Sequence, residues 1–269
     1  MSLALAAPPQ TPDRPRSSAP SRIPVVRQTL GSWRVTVERT PFSDVALAAR
    51  YDRAASGWNR RLDLLGVPRA YRRLFRTLLT DGPLQSLPTG AWVLDAGVGT
   101  GALSLALASE YEAVRPPATA PSDRLLFSAV DRSRAMLQSA RAAFDAARLD
   151  AAFRCTDLTA LPFEDNTFDL VMAGHVIEHL PDPQAALREL VRVLRPGAPL
   201  LLLATRRSVL GALVHLQWRT HTMRAADLTH GLEACGVDHV EIVTPPASAW
   251  LRRASLVVVA RKPKGFCHV

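Results

Sequence analysis

The amino-acid sequence predicts a doubly wound α/β fold, in which a mostly parallel sheet is covered by helices on both faces. Seven short apolar runs of strand length follow one another between residues 92 and 260, and amphipathic stretches of helical length separate several of them. Continuous apolar strands that alternate with helices are typical of parallel sheets buried on both sides. With 269 residues and 48% hydrophobic composition, the chain can build a core of this size.

Three regions are expected along the chain. Residues 1–40 should form a basic, Pro-rich flexible tail, because the first 24 residues hold many prolines and serines and little apolar surface. Residues 41–88 should form a helical cap, and residues 89–265 the α/β domain. The cap is predicted from apolar residues that recur without strand alternation: Leu62, Leu65, Tyr71, Leu74, Phe75 and Leu78.

The α/β domain begins with the apolar run WVLDA, a glycine-rich loop and the helical stretch ALSLALASEY. The remaining predicted strands are LLFSAVD, AAFRC, FDLVMAG, PLLLLA, HVEIV and SLVVVA. One predicted helix places Met136, Leu137, Ala140 and Phe144 on one face, and a later one does the same with Leu187, Leu190, Val191 and Leu194. Asp182 is suited to be the N-cap of that later helix, Pro183 to be its first residue, and Pro196-Gly197 to stop it.

The net charge of +9 suggests a nucleic-acid partner, but the distribution of charge does not favour one. Lysine occurs only at Lys262 and Lys264, and the arginines are scattered. Residues 1–40 hold six Arg and two acidic residues, which gives +4 of the total. We interpret the excess as a solvated surface plus a basic tail, and expect no nucleic-acid partner.

The cysteines and the hydropathy of the chain indicate in which cellular compartment the protein is expected. Cys155, Cys235 and Cys267 form no CxxC pair and no metal-ligand spacing, which fits a reducing compartment and no metal site. No apolar run approaches the roughly 20 residues that span a bilayer. We expect a cytoplasmic protein without a membrane span, with an Arg-rich organelle transit peptide as the open alternative. The sequence does not predict the oligomeric state.

The motif DAGVGTG at residues 95–101 directly follows a predicted strand and opens a helix. Glycines at 97, 99 and 101 allow a tight turn and close approach of the backbone to a ligand. In an open parallel sheet, ligands bind at the carboxyl ends of the strands, where this loop lies. A tight turn without a ligand would not need three alternating glycines, so the motif favours a binding site.

The same motif fits GxGxxA, because Ala102 fills the last position, and a nicotinamide dinucleotide fold is therefore a rival interpretation. Asp95 argues against it, since a carboxylate at the strand tip would repel a pyrophosphate and attract an ammonium group. Asp157, at another strand end, has no evident role in dinucleotide binding. The motif also lies about 90 residues into the chain, whereas dinucleotide folds often open with it.

Four blocks in order resemble the class I S-adenosylmethionine-dependent methyltransferases, in particular the small-molecule branch similar to quinone-biosynthesis methyltransferases. They are VLDAGVGTG (93–101), AVDRSRAML (129–137), CTDLTALPFEDNTFDLV (155–171) and HVIEHLPDPQAALRELVRVLRPGAPLLL (175–202). The resemblance implies a Rossmann-like sheet of seven strands whose last strand is antiparallel, with residues 89–265 as the methyltransferase domain. It also implies S-adenosylmethionine as cofactor and S-adenosylhomocysteine as product.

The resemblance assigns roles to residues at the strand ends. Asp95, Ala96, Gly97, Gly99 and Gly101 would hold the amino-acid end of the cofactor. Asp131 would accept hydrogen bonds from both ribose hydroxyls, and Arg132 and Met136 would flank the adenine. Asp157, with the backbone of Leu158, would read the adenine edge, while His175 would lie at the methyl group.

The catalytic residue is not fixed by the sequence, because methyl transfer depends mainly on alignment and needs a base only where a proton blocks the nucleophile. His175, His179 and Tyr51 are candidates; the alternatives are a core histidine, a structural histidine and packing within the cap. Trp58, Arg206, Trp218 and His221 are substrate-contact candidates. For Trp58 the alternative is cap packing, and for Arg206 it is plain surface solvation.

A small-molecule methyltransferase is the function that this sequence favours, and other classes stay open. An RNA methyltransferase would explain the charge, but no NPPY-type or Cys-nucleophile motif follows the fourth strand, where HVIE stands. A nicotinamide oxidoreductase and a non-catalytic binding protein with this fold are the further alternatives. The acceptor atom is not predicted.

Overall fold

The computed structural model describes residues 23–30, 33–39, 52, 57, 60, 62–115, 120, 123–206, 223–237, 239–244 and 255–265. The chain divides into two compact units, residues 1–41 and 42–269. In the first, β1 (Ile23–Leu30) pairs antiparallel with β2 (Trp33–Arg39) as a hairpin. This differs from the flexible tail expected over residues 1–40. The β-branched run Val35-Thr36-Val37 favours a strand, a local signal that the overall Pro-rich composition obscures.

The second unit is built on a seven-stranded sheet with the order β5-β4-β3-β6-β7-β9-β8. Strands β3 to β7 are parallel to one another, whereas β9 runs antiparallel to both of its neighbours. The predicted seven-stranded sheet with an antiparallel last strand is confirmed. The strands are β3 (Trp92–Ala96), β4 (Leu126–Asp131), β5 (Ala151–Cys155), β6 (Leu170–Gly174), β7 (Pro199–Thr205), β8 (His239–Val243) and β9 (Ser255–Arg261).

Helices cover both faces of this sheet. On one face, α1 (Val67–Thr80), α2 (Ala102–Val114) and α3 (Arg134–Ala147) share a core with Val93. On the other, α4 (Pro183–Val193) and α5 (Ala225–Glu233) share a core with Leu94. Successive residues of β3 thus enter opposite cores, as a strand buried on both sides requires. Among the described helices, none has the length and apolarity to cross a bilayer.

The predicted helix signals are found in the structure. The inner face of α3 consists of the four residues expected there, and its N-cap is Ser133. The Asp182 carboxylate accepts a hydrogen bond from the Ala185 backbone N–H at 2.9 Å, which caps α4. Pro183 is the first residue of that helix, which ends at Val193, before the Pro196-Gly197 pair. These contacts satisfy amide groups that a helix start leaves unpaired.

Helix α1 lies in the region predicted as the helical cap and packs against α2. Arg72 Nε and Arg76 Nε donate to the two carboxylate oxygens of Glu110 at 2.9 and 2.8 Å. Glu110 is almost fully buried, so the paired arginines compensate its charge. Because the apolar face of α1 belongs to the same core as β3, this helix is a layer of the α/β unit.

The strand order determines where a ligand can bind. From β3 the chain crosses to β4 and then β5 on one side, and later returns to β6 on the other side. The helices that follow β3 and β6 therefore leave on opposite faces, which opens a crevice at the carboxyl ends of the two strands. Asp95 and Met172 are register partners just below this crevice.

Candidate cofactor-binding and active site

The glycine loop after β3 is tied to the end of β4 through backbone groups. The N–H groups of Gly97 and Val98 both donate to the Val130 carbonyl, at 2.8 and 3.0 Å. Gly97, Gly99 and Gly101 have φ values of 83°, 53° and 87°, in the left-handed region that favours glycine. Gly101 is also the N-cap of α2. Any residue other than glycine would therefore be strained at these three positions.

The three glycines serve different purposes. A Cβ at Gly97 would lie 2.7 Å from Val176 Cγ2, and one at Gly101 would lie 3.1 Å from the Phe144 ring. At Gly99, a Cβ would meet nothing within 4 Å. The outer two glycines therefore permit protein packing, whereas the middle one faces open space that a ligand can enter.

Asp131, at the end of β4, is hydrogen-bonded to the backbone of the glycine loop. One carboxylate oxygen accepts the Gly99 N–H at 2.9 Å, and the other accepts the Ser133 N–H at 2.9 Å. Burial raises the pKa of Asp131, and the backbone hydrogen bonds partly offset the rise. Each oxygen keeps lone-pair capacity for one further donor, which suits the two hydroxyls of a ribose. The structure thus joins two of the predicted binding elements directly.

Ser133 adds a contact that the sequence did not predict. Its hydroxyl donates to Asp52, which belongs to the region N-terminal to α1. The Asp52 charge in turn adds to the rise in the pKa of Asp131. A residue from the predicted cap region therefore lies beside the candidate ribose site, although Asp52 was not among the candidates.

Asp95 is only 1% exposed, and its carboxylate accepts the Ser104 hydroxyl at 2.6 Å. Burial raises its pKa to about 7, and the nearby charge of Asp131 adds to the rise. The predicted contact with an ammonium group remains a prediction. A cation brought close to Asp95 would favour its ionised form, because opposite charges within a few ångströms stabilise each other.

The predicted adenine-binding residues lie near the ends of β4 and β5. Arg132 and Asp157 form an ion pair at 2.7 Å, and the other Asp157 oxygen accepts the Thr159 N–H and hydroxyl, both at 2.9 Å. Burial acts to raise the pKa of Asp157, but these hydrogen bonds and Arg132 outweigh it and lower the pKa. Met136 and Leu158 are 1% and 5% exposed, so their side chains present little surface in this conformation.

His175 directly follows β6 and has a φ of 55°, which is uncommon for a residue other than glycine. Its Nδ1 lies 3.3 Å from Thr205 Oγ1 and 3.4 Å from Glu178 Oε1, and its Nε2 lies 3.2 Å from Ser255 Oγ. Burial acts to raise the pKa of Glu178, but the hydrogen bond and charge of His175, His179 and Thr205 lower it well below its ordinary value. His179 ends a short 3₁₀ helix, Ile177–His179, and is half-buried.

Of the five remaining candidates, the structure describes Arg206. Tyr51, Trp58, Trp218 and His221 lie outside the described residues. Arg206 is exposed at the end of β7, where it forms a β-bridge with Met223. In the part of the chain that the structure describes, no three His, Cys, Asp or Glu side chains group in a way that could hold a metal ion.

Sequence reasoning missed Ser104, Thr205 and Ser255 as partners of the site's acids and of its histidine. Ser104 stands nine residues after Asp95, in the first turn of α2, and a helix following a strand end offers a weak signal for such a contact. Ser255 lies 80 positions from His175 and reaches it only because β9 pairs with β7. A single sequence offers no signal for that contact.

The fold and the site together define a class: an α/β unit with one antiparallel strand, a glycine loop and acidic residues at adjacent strand ends. Residues 94–202 match the family model described as a methyltransferase domain. This match supports a class I S-adenosylmethionine-dependent methyltransferase domain within the α/β unit.

Known proteins with similar sequences or structures agree with this class. The chain is 39% identical over 121 residues to a demethylmenaquinone methyltransferase of Lactiplantibacillus plantarum, covering 44% of this chain and 47% of that protein. It is 29% identical over 160 residues to a ubiquinone/menaquinone biosynthesis C-methyltransferase of Desulfotalea psychrophila, covering 60% and 55%. The structure of a putative S-adenosyl-L-methionine-dependent methyltransferase from Methanococcus maripaludis superposes with a TM-score of 0.59 at 18% identity, covering 81% of this chain and 95% of that one. The chain thus matches about half the length of these curated relatives.

Proposed function

We propose that this protein transfers the methyl group of S-adenosylmethionine to a small-molecule acceptor. The observation that carries the proposal is the hydrogen bond from the Gly99 N–H to Asp131, which joins the glycine loop to the acidic end of β4 at a point where a Cβ on Gly99 would meet nothing within 4 Å. A nucleoside with a hydroxylated ribose and an amino-acid end that carries an ammonium group matches this combination of acceptor oxygens and bare backbone.

The residues present fit the donor. Open space above Gly99 admits a ligand, and the Thr100 hydroxyl in the same loop is buried without a hydrogen-bond partner among the described residues. Asp131 would hold the ribose and Asp95 would attract the ammonium group. Arg132 and Met136 would flank the adenine, and Asp157 with the backbone of Leu158 would read its edge. When bound, S-adenosylmethionine supplies an electrophilic methyl group on a positively charged sulfur.

The protein's own contribution is chiefly alignment. The loops after β3 and β6 pack closely at Gly97 and Val176, which supports a crevice that aligns its ligands. Well-oriented reactants can reach effective molarities of roughly 10⁵–10⁸ M, so alignment can supply a large part of the rate enhancement. Tyr51, Trp58, Arg206, Trp218 and His221 remain proposed contacts to the acceptor.

A small-molecule acceptor is supported by the names of the relatives, two of which are quinone-biosynthesis methyltransferases. Transfer of label from tritiated S-adenosylmethionine to a cell extract, followed by separation into small molecules, RNA and protein, tests this part. Label in the organic-soluble small-molecule fraction is expected. Label that is lost to ribonuclease would instead establish an RNA methyltransferase.

Calorimetric titration with S-adenosylhomocysteine, S-adenosylmethionine and NADH tests the cofactor. Both sulfur nucleosides should bind and NADH should not. Asp131→Asn should weaken S-adenosylhomocysteine binding by about 10- to 100-fold, because a hydrogen bond to a charged group contributes roughly 1.5–3 kcal/mol. Asp145→Asn, on the exposed face of α3, is the matched control and should bind as the unaltered protein does. Binding of NADH alone would replace the proposal with an oxidoreductase.

We also infer a cytoplasmic location, since Cys155 and Cys235, the cysteines among the described residues, are both free thiols. Fractionation of cells that express the tagged protein checks this. Recovery in an organelle fraction would contradict it and would favour a transit peptide in the N-terminal segment.

A further inference from the structure

The positive charge of the chain is concentrated in two short segments. Residues 60–80 hold six Arg and one Asp, which gives this segment a net charge of +5. Together with the +4 of residues 1–40, this accounts for the whole net charge of +9, so the rest of the chain is neutral overall. The basic residues are therefore less evenly scattered than the sequence suggested, and the second concentration lies on and just before α1.

Helix α1 has one buried apolar face and one exposed basic face. Its apolar residues belong to the core that it shares with β3. Its four arginines follow one another at intervals of three, one and three positions, which places them on a single face of a helix. All four are exposed: Arg69, Arg72, Arg73 and Arg76. Because α1 contains no acidic residue, no negative charge of the helix itself interrupts this basic face.

A buried carboxylate holds two of these arginines in place. The oxygens of Glu110, which is almost fully buried, accept from Arg72 Nε and Arg76 Nε, yet the two arginine side chains stay 54% and 61% exposed. The terminal NH₂ groups of both guanidinium groups make no hydrogen bond within the described part of the chain. Glu110 thus orients two guanidinium groups whose remaining donors can meet a phosphate, a group that guanidinium binds in a bidentate manner.

Two exposed leucines lie directly before this basic helix. Leu64 and Leu65 are 80% and 57% exposed, which makes them the most exposed large apolar side chains among the residues that the structure describes. Leu65 is one of the residues from which the cap is predicted, yet it belongs to neither core. A Cβ on the next residue, Gly66, would meet nothing within 4 Å. The turn that leads into α1 therefore presents open apolar surface within a few residues of Arg69.

Arginines beside exposed leucines match the surface of a phospholipid bilayer. Lipid phosphates accept hydrogen bonds from guanidinium groups, and the boundary between head groups and acyl chains receives apolar side chains. A nucleic acid also offers phosphates, but its backbone has no apolar layer into which two leucines could insert. A cluster of basic residues on an amphipathic helix is typical of binding to anionic lipids in particular.

We propose that the exposed face of α1, together with Leu64 and Leu65, docks on the surface of a membrane that contains anionic phospholipids. The four arginines of α1 contact the lipid phosphates, and the two leucines enter the boundary between head groups and acyl chains. The protein is held at the surface by these contacts and can leave it again. Docking of this kind does not depend on the proposed methyl transfer, so it can be measured independently of any activity.

Sedimentation of the full-length protein with lipid vesicles tests the proposal. Vesicles of phosphatidylcholine alone are compared with vesicles that also contain the anionic lipid phosphatidylglycerol. The protein should sediment with the anionic vesicles and stay in solution with the neutral ones. The bound fraction should fall as the salt concentration rises, because salt screens charges at an exposed surface. Absence of binding to the anionic vesicles at low salt would overturn the proposal.

Paired arginine variants test whether the basic face of α1 makes the contact. Arg69→Gln combined with Arg73→Gln should weaken binding to anionic vesicles by about 10- to 30-fold, because each basic residue near such a surface contributes roughly fivefold. Neither arginine forms an ion pair among the described residues, so the fold should be kept, which circular dichroism checks. Arg124→Gln combined with Arg188→Gln removes the same charge from exposed positions elsewhere and is the control. An equal loss in the control would assign binding to net charge and overturn docking through α1.

A second pair of variants separates a bilayer from RNA. Leu64→Ser combined with Leu65→Ser keeps the charge and should weaken vesicle binding by about 10-fold or more, because burial of a leucine side chain is favourable. Leu126→Ser combined with Ile242→Ser, at exposed positions of β4 and β8, should bind vesicles as the unaltered protein does. Full vesicle binding by the Leu64 and Leu65 variant would contradict insertion into the bilayer. Binding to cellular RNA that only the arginine variant loses, without vesicle binding, would replace the bilayer with RNA.

Discussion

At the scale of single residues, Asp95 links stability to pH. Its pKa is about 7 in the folded protein, against an ordinary value of 3.8. Between these two values the folded state binds more protons than the unfolded state, so stability falls as pH rises. The destabilisation that arises from burying the ionised Asp95 carboxylate is absent below about pH 4 and complete above about pH 7.

Asp95→Asn should therefore gain stability relative to the unaltered protein as pH rises. From pH 5 to pH 8 the difference in free energy of unfolding should change by up to about 3 kcal/mol, at 1.36 kcal/mol per pKa unit. Urea unfolding of both proteins at the two pH values measures this. Asp145→Asn, exposed on α3, should show no such trend. A pH-independent difference for Asp95→Asn would show that the carboxyl is ionised throughout.

The same residue predicts a proton linked to ligand binding. If the ammonium group of S-adenosylhomocysteine approaches Asp95, binding at pH 6 should release a proton, because the cation favours the carboxylate. Titrations in two buffers of different ionisation enthalpy count the protons released. The release should vanish at pH 8, where Asp95 is already ionised, and in Asp95→Asn at either pH. Equal release by the variant would assign the proton to another group.

The sequence identified some residues of the site and could not identify others. Asp95, Asp131 and the glycines were predictable, because alternating glycines in a strand-to-helix turn are typical of a loop that a ligand approaches closely. The partners of His175 were not, because Thr205 and Ser255 approach it through strand pairing between segments 30 and 80 positions away. Such contacts depend on the order of strands, which local patterns do not encode.

At the scale of elements, the contact between the β3 and β6 loops can be tested by substitution. Gly97→Ala should destabilise the protein by about 2–4 kcal/mol, because it combines a left-handed backbone with a Cβ placed 2.7 Å from Val176 Cγ2. Val176→Ala in the same chain should recover part of that loss by removing the clash but not the strain. Urea unfolding of the two single variants and the double variant gives the coupling energy. Strictly additive effects would show that the loops do not press on each other.

Elements with strong periodicity were predicted well, and weaker ones were not. The inner face of α3 and the cap of α4 follow from spacing and capping chemistry alone. The β1–β2 hairpin was not predicted, because its neighbourhood is rich in proline and its strands are half polar. The Pro-rich composition of residues 1–40 as a whole outweighed the short β-branched run that favours these strands.

At the scale of the whole molecule, the position of the charge decides between two interpretations of the +9 total. Deletion of residues 1–40 removes +4, so the shortened protein should elute from heparin at clearly lower salt. Its affinity for S-adenosylhomocysteine should be unchanged, because the described binding residues all belong to residues 42–269. Unchanged heparin retention would place a basic surface on the α/β unit and favour an RNA acceptor.

The class of fold was readable from the alternation of apolar runs and helices, and the number of strands from counting those runs. The antiparallel direction of the last strand followed from the family resemblance, whereas its placement between β7 and β8 was not predicted. Antiparallel insertion of a late strand depends on which sheet edge remains open after the earlier strands have paired, and this is a property of the assembled sheet.

The position of β9 also limits how the gene can be shortened. The segment that matches the methyltransferase family ends at residue 202, within β7 and far before β9. Expressed alone, that segment would present the hydrogen-bonding groups of β7, whose residues are all buried in the intact protein, to any strand that it met. An open edge of this kind promotes self-association. A truncation designed from family boundaries alone should therefore precipitate, and a peptide covering residues 255–265, supplied during refolding, should compete with that aggregation.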